Sequence, residues 1–399
     1  MNHPAILGNT PIFTDKIHIV RPDLPAFSDL AADAQDILAN GMVTKGKYLR
    51  AFEEAVAEHL GARHAIAVSS CTTGLMLTYR CLNLTGEAVV PSFTFMATVS
   101  ALIWAGLRPV YADVDFDTTN LNVAAAEAAI TPETTAIVAV HNFGNPADID
   151  ELQALADSRD LKLIFDAAHG FGALYRGKPV GAEGNAQVYS LSPTKLVIAG
   201  EGGIVATNDD ELAEKIRWGR EYGNSGNYDS AFAGINARMP EFNALMGLHS
   251  LRRLETGARR RNELVELYRE QLGALPGVGF QTVRPGNRHS YKDFSITIDP
   301  QAFGMNRDEL AAALAAENID SRKYYEPPVH RQTAYAQFAT NQTVLDNTET
   351  LSGQSLSLPI WSNMDATTAL KISHAVQRIQ DFAGEVKQAI HQSTNRQAR

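Results

Sequence analysis

Between residues 64 and 208 the chain alternates short apolar runs with helix-length segments, and this alternation limits the fold more than any other feature. The runs are HAIAVS (64–69), EAVVPS (87–92), RPVYADV (108–114), TTAIVAVH (134–141), LKLIFDAA (161–168), AQVYSLS (186–192) and GGIVATN (202–208). Each is bounded by Gly, Pro, Asp, Asn or Ser, the residues that punctuate strands. Such runs separated by helices predict an α/β fold with a mostly parallel sheet of seven strands, covered on both faces. Ligands on open sheets of this kind sit beyond the carboxyl ends of the strands, so polar residues there carry the most information.

After residue 239 the pattern changes. A long helical stretch, EFNALMGLHSLRRLETGARRRNELVELYREQL, repeats Phe242, Leu245, Leu248, Leu251 and Leu254 at intervals of three, with Gly257 marking a bend or break. GVGFQTV and KDFSITID read as strands, and NRDELAAALAAENI and TTALKISHAVQRIQDFAGEV as helices. That mixture predicts a smaller α+β domain, with a division into residues 1–250 and 251–399. The polar end KQAIHQSTNRQAR reads as a frayed tail.

With 399 residues, 45% of them hydrophobic, the chain can bury a large core. Its net charge of -10 argues against a chain-wide attraction to nucleic acid or to anionic membrane. Cys71 and Cys81 are the only cysteines, too few for a disulfide framework or a tetrahedral metal cluster. MNHPAILGNTPIF lacks the basic-then-apolar pattern of a signal peptide, and no stretch is long and apolar enough to span a bilayer, so a cytoplasmic location is expected.

Three segments at expected strand ends carry chemistry. Asp166 closes LKLIFD and is followed by Ala167, Ala168 and His169; an acid there is either a cap or a buried partner for a cation. The turn Ser69, Ser70, Cys71, Thr72, Thr73, Gly74 opens a helix, and free amides with hydroxyls at a helix N-terminus suit a phosphate. Lys195 lies in YSLSPTKLVIAGEGG, between a hydroxyl-rich turn and a glycine cluster. Each signal alone has an ordinary structural explanation. Together, a phosphate cradle, a strand-end carboxylate and a lysine match what pyridoxal phosphate (PLP) requires: an amine for its aldehyde, an acid for its ring nitrogen, and donors for its phosphate.

The sequence resembles the DegT/DnrJ/EryC1/StrS family of sugar aminotransferases, which are fold type I PLP enzymes. The resemblance runs through NGMVTKGKYLRAFEEAVAEHLGARHAIAVSSCTTGLML, VVPSFTFMATVSALIWAGLRPVYADVD, IFDAAHGFGALYRGKPVG, SLSPTKLVIAGEGGIVATND, GINARM and YYEPPVHRQTAY, in that order. It implies that Lys195 binds the cofactor covalently, that Asp166 pairs with the ring nitrogen, and that His169 contacts the phenolic oxygen. Phe95 matches the aromatic stacked on the ring, and Ser190 with the backbone at Cys71 and Thr72 matches the phosphate ligands. Asn236 matches a residue that reaches the phosphate from the neighbouring subunit of a homodimer. Cys71 departs from the Gly-Thr common in relatives, which leaves the amide in place but brings in a thiol.

The resemblance further implies transfer of an amino group from L-glutamate to a nucleotide-linked keto-sugar, a 3- or 4-keto-6-deoxyhexose. In the family Tyr325 and His330 belong to a YxxPxH segment near the active site, and Arg322 adds a cation beside them. The alternatives are amination of a cyclitol ketone, dehydration of a sugar, or a regulatory protein without turnover. Sugar dehydratases of the family replace the lysine by histidine, and a regulatory protein is expected to lose cofactor ligands; neither change is present here.

Overall fold

The computed structural model describes residues 3–181, 183–340 and 344–397. All seven apolar runs are strands: β1 (His64–Val68), β2 (Glu87–Pro91), β3 (Arg108–Ala112), β4 (Thr134–Val140), β5 (Lys162–Asp166), β6 (Ala186–Ser190) and β7 (Gly203–Thr207). They form one sheet in the order β1-β7-β6-β5-β4-β2-β3. Neighbours from β6 to β3 pair in parallel, and β7 runs antiparallel to both β1 and β6.

Alternate side chains of each strand enter opposite cores, which explains why the runs are apolar throughout. Ile66, Val68, Val138, Ile164, Val188 and Val205 meet Leu75, Leu77 and Tyr79 of the helix Cys71–Cys81 on one face. On the other face Ile137, Leu163 and Phe165 meet Ile149, Leu152 and Leu155 of the helix Ile149–Ser158. Tyr189, Ile204 and Ala206 meet Phe52, Val56 and Leu60 of the helix Lys47–Leu60.

A second, antiparallel sheet contains β8 (Val278–Phe280), β9 (Phe294–Ile298) and β10 (Ser355–Leu358), with β9 in the middle. Phe294, Ile296, Leu356 and Leu358 pack against Leu264 and Tyr268 of the helix Leu254–Leu272 and Ile372 and Val376 of the helix Ala366–Asp381. Ile6, Phe13 and Ile17 from the start of the chain join this core. The long helical stretch breaks at Arg252 and Arg253, not at Gly257, which lies inside the second helix with Ser362 close against it. Lys387 and the residues after it continue the helix Ala383–Gln397 instead of fraying, and residues 398–399 lie outside the described residues. β10 escapes the strand pattern because half its residues are serines; Ser357 is nonetheless buried and its hydroxyl meets that of Ser295 at 2.6 Å. Among the described residues no helix is long and apolar enough to cross a membrane.

The helix Cys71–Cys81 approaches the sheet through Gly74, where an added Cβ would stand 2.8 Å from Val188 Cγ1 and 3.2 Å from side chains of Val68 and Val205. Gly74→Val is therefore expected to lower stability by about 1–3 kcal/mol through overpacking, although it removes a glycine from a helix interior. A fall in the urea unfolding midpoint checks this.

Candidate active site

A cavity of about 300 Å³ opens beyond the carboxyl ends of the parallel strands. Asp166 ends β5, Ser190 ends β6, Val140 ends β4, and the loops after β1 and β2 contribute Ser70, Cys71, Thr72, Thr94 and Phe95. Lys195, His169 and Tyr325 complete the same wall. One cavity thus gathers Lys195, Asp166, His169, Cys71, Thr72, Phe95, Ser190 and Tyr325, residues spread over 255 positions of the chain.

Asp166 is buried and has no ion-pair partner among the described residues. Thr98 Oγ1 donates to its Oδ2 at 2.7 Å, and the Ala168 amide to its Oδ1 at 3.0 Å. Burial raises its pKa, partly opposed by these hydrogen bonds. The backbone contact to Ala168 is the cap expected of a strand-end acid, but it occupies one oxygen only.

Ser70 caps the helix Cys71–Cys81 in a reciprocal box with Thr73, whose amide its hydroxyl accepts at 3.1 Å. The box satisfies Thr73 and leaves the Cys71 and Thr72 amides at the positive end of the helix, on residues that line the cavity. The Cys71 thiol turns away from that end, towards Asp166 Oδ1 (3.9 Å) and the Val188 carbonyl (3.5 Å). Burial pushes it well above its usual pKa, so it is a neutral thiol. Gly203, where β7 begins, lets the backbones meet: an added Cβ would lie 2.6 Å from the Cys71 nitrogen. Gly203 in the glycine cluster after Lys195 therefore serves the contact between the strand and the helix N-terminus.

His169 is buried, and its Nδ1 has no hydrogen-bond partner among the described residues. Burial, with Lys195 and Lys292 adding repulsion, holds the imidazole well below its ordinary pKa and keeps it neutral. Its carbonyl accepts from Ser290 Oγ at 2.8 Å, which fixes the loop after β5. Phe95 remains 51% exposed at the cavity mouth, a large aromatic face without cover. Tyr325 is buried, stacks on Phe143 at 5.5 Å and donates to Asn142 Oδ1 at 3.3 Å.

The remaining expected residues lie off the cavity. For His330, Nδ1 meets Ser92 Oγ at 2.7 Å and Nε2 meets Glu349 Oε1 at 2.8 Å, so both ring nitrogens are engaged, one of them with the loop after β2. Arg322 is exposed and paired with Asp320 at 3.0 Å. Asn236 is exposed, on a segment bridged to Glu221.

Among the lining or supporting residues that were not anticipated are Thr98, Lys292 and Asp293. Thr98 acts on an acid 68 positions away, for which the sequence contains no signal. Lys292 and Asp293 head the run KDFSITID, where a charge couple reads as a solvated strand start, yet both are buried and paired at 2.9 Å. Tyr324 lies under the Lys292 ammonium, with 5.6 Å from Nζ to the ring centre.

Burial, with Lys292 adding like-charge repulsion, lowers Lys195 from 10.5 to about 8, against the opposing pull of Asp293, Cys71 and Asp166. The neutral amine is the nucleophile, and its fraction rises as the pH passes the pKa. Trapping of Lys195 by an aldehyde and borohydride, followed by peptide mass spectrometry, is expected to increase with pH through an inflection near 8 instead of 10.5.

A model of the DegT/DnrJ/EryC1/StrS aminotransferase family matches residues 27–377. The chain is 34% identical over 371 residues to dTDP-3-amino-3,4,6-trideoxy-alpha-D-glucose transaminase of Streptomyces venezuelae, covering 91% of this chain and 96% of the relative. It is 31% identical over 363 residues to dTDP-4-amino-4,6-dideoxy-D-glucose transaminase of Escherichia coli, covering 90% and 97%. The crystal structure of DesI in the presence of its TDP-sugar product superposes with a TM-score of 0.89 at 35% identity, covering 98% of each chain. A fold type I sheet with lysine, aspartate and helix N-terminus at one cavity, together with a family match over most of its length, identifies this chain as a member of the DegT/DnrJ/EryC1/StrS aminotransferase family.

Proposed function

We propose that this aminotransferase uses PLP to move an amino group from L-glutamate to a nucleotide-linked keto-hexose, in the formation of an amino sugar. The observation that carries the reading is a pair of buried groups beside an amine near pKa 8: the Asp166 carboxylate without an ion-pair partner, and His169 with an unpartnered Nδ1, both among the described residues. Both fit PLP, whose ring nitrogen supplies the positive charge and whose phenolic oxygen supplies the partner. Asp166 would hold the ring nitrogen, His169 the phenolic oxygen and Phe95 the ring face. Ser190 and the amides of Cys71 and Thr72 would hold the phosphate. When bound, PLP supplies the electron sink that permits removal of a proton from the carbon bearing the transferred nitrogen.

The protein's own part is to bind, orient and move protons. Lys195 Nζ, after serving as the covalent anchor, is near enough to neutrality to take up a proton at pH 7–8 and to return it, as a general base and acid must. Thr98 and Ala168 keep the Asp166 oxygens oriented and favour the carboxylate form that burial opposes. The neutral His169 can donate or accept without adding a second positive charge beside Lys195. A division near residue 250, into a large cofactor-binding part and a smaller C-terminal part, accompanies this reading.

The S. venezuelae and E. coli transaminases are named for dTDP-linked amino sugars, and DesI was crystallised with a TDP-sugar product. These names support a nucleotide-linked acceptor for this chain. In a panel of dTDP-, UDP- and GDP-linked 3-keto and 4-keto-6-deoxyhexoses tested with L-glutamate, a nucleotide-linked sugar is expected to be aminated, with dTDP-4-keto-6-deoxyglucose the first candidate. Product formation only from free cyclitol ketones would overturn the acceptor and leave the aminotransferase chemistry intact.

The exposure of Asn236, together with the uncovered apolar side chains of Leu38, Met42, Val43 and Phe95, supports a homodimer whose site borrows Asn236 from the neighbouring subunit. Subunits carrying Lys195→Ala and subunits carrying Asn236→Ala, each inactive alone, are expected to regain activity when exchanged into heterodimers. Absence of activity after verified exchange would show that Asn236 serves its own subunit.

A further inference from the structure

Among the described residues Lys195 and Lys292 are the two lysines that line the cavity, and no arginine lines it. In the function proposed above, on which this inference rests, Lys195 is committed to the cofactor. Beyond its repulsion of Lys195, Lys292 then has no assigned ligand, although several contacts place it. Its backbone amide donates to the Phe143 carbonyl at 3.0 Å, and the preceding Ser290 amide to the Gly144 carbonyl at 3.0 Å. Arg261, itself 2% exposed, donates to the carbonyls of Tyr291 and Lys292 at 2.8 and 3.2 Å. These contacts dock the segment against the loop after β4 and aim one ammonium into the site.

The Lys292 ammonium carries three N–H donors. It lies 2.9 Å from each oxygen of Asp293, an arrangement that uses two donors at most. Two buried charges are costly to remove from water, and a pair of this kind is weak support for stability by itself. A pair beside a reaction centre that must receive an anion and a neutral group in turn has another use. The amino donor brings a carboxylate one bond from the carbon that loses its proton. The reacting carbon of a keto-hexose is flanked by neutral groups, and its diphosphate lies across the ring.

We infer that Lys292 binds the carboxylate of the amino donor, and that Asp293 is its internal counter-ion, neutralising the ammonium whenever the keto-sugar occupies the cavity. Tyr324, beneath the ammonium, holds its direction through the ring face. Asp293 competes with the donor for Lys292, so the two residues make opposite contributions to donor affinity.

Calorimetric titration of the PLP-loaded protein with 2-oxoglutarate and, separately, with dTDP tests this. Lys292→Gln strands the Asp293 carboxylate, so the double variant Lys292→Gln/Asp293→Asn, which removes both charges, is compared with Lys292→Arg and Asp293→Asn. The double variant is expected to weaken 2-oxoglutarate about tenfold or more, with dTDP changed less than about twofold. Lys292→Arg is expected to retain most of the affinity, and Asp293→Asn to tighten 2-oxoglutarate. Loss of dTDP binding with 2-oxoglutarate unchanged would assign Lys292 to the diphosphate. Equal loss of both ligands, weakening by Asp293→Asn, or no change in any variant would also overturn the proposal. Failure of the underlying reading is separately visible, because the wild-type protein would then show no bleaching of its visible cofactor absorbance with any amino acid.

Discussion

The carboxylate of Asp166 is removed from water at the end of β5 without an ion-pair partner among the described residues, and much of the surrounding structure answers that cost. Desolvation of an unpaired carboxylate is strongly unfavourable. Thr98 and Ala168 offset part of it with an O–H and an N–H, while the Cys71 thiol closes the remaining side. These groups come from the helix after β2, the turn after β5 and the helix after β1. The acid therefore ties together the segments that leave three separate strands of the sheet. What the neutral donors leave unpaid in charge is the place for a positively charged ring nitrogen.

Lysine chemistry in the same cavity depends on the opposite adjustment. An ordinary lysine is almost wholly protonated at neutral pH and cannot act as a base. Lys195 escapes this because it is drawn from water and faces the ammonium of Lys292. The second lysine arrives on a segment that precedes the antiparallel sheet and is clamped by Arg261 to its own helix and by Phe143 and Gly144 to the large sheet. The junction between the two sheets is thus part of the site, and its geometry affects how readily Lys195 loses its proton.

His330 and Cys71 show how side chains acquire partners from distant elements while the motif holds. His330 stands beside the site in sequence terms, but the Ser92 hydroxyl and Glu349 capture both of its nitrogens, so it stiffens the loop that presents Phe95. Cys71 keeps its amide where a phosphate ligand is needed, while its side chain joins the contacts of Asp166. In each case the backbone position follows from the local motif, and the side-chain partner comes from a distant element.

The seven strands of the main sheet, the parallel α/β class, and the gathering of Lys195, Asp166, His169 and the Cys71 turn at strand ends were legible in the sequence alone. That is because a strand buried on both faces must be apolar along its whole length, and because ligands of such sheets gather at carboxyl ends. β10 was hidden, since its buried serines find one another only after β9 is placed beside it. The break at Arg252 and Arg253, the engagement of His330, and the buried Lys292–Asp293 pair also belong to the tertiary structure. Each depends on which groups from remote segments come within hydrogen-bonding distance, and residue type and spacing along one segment carry no record of that.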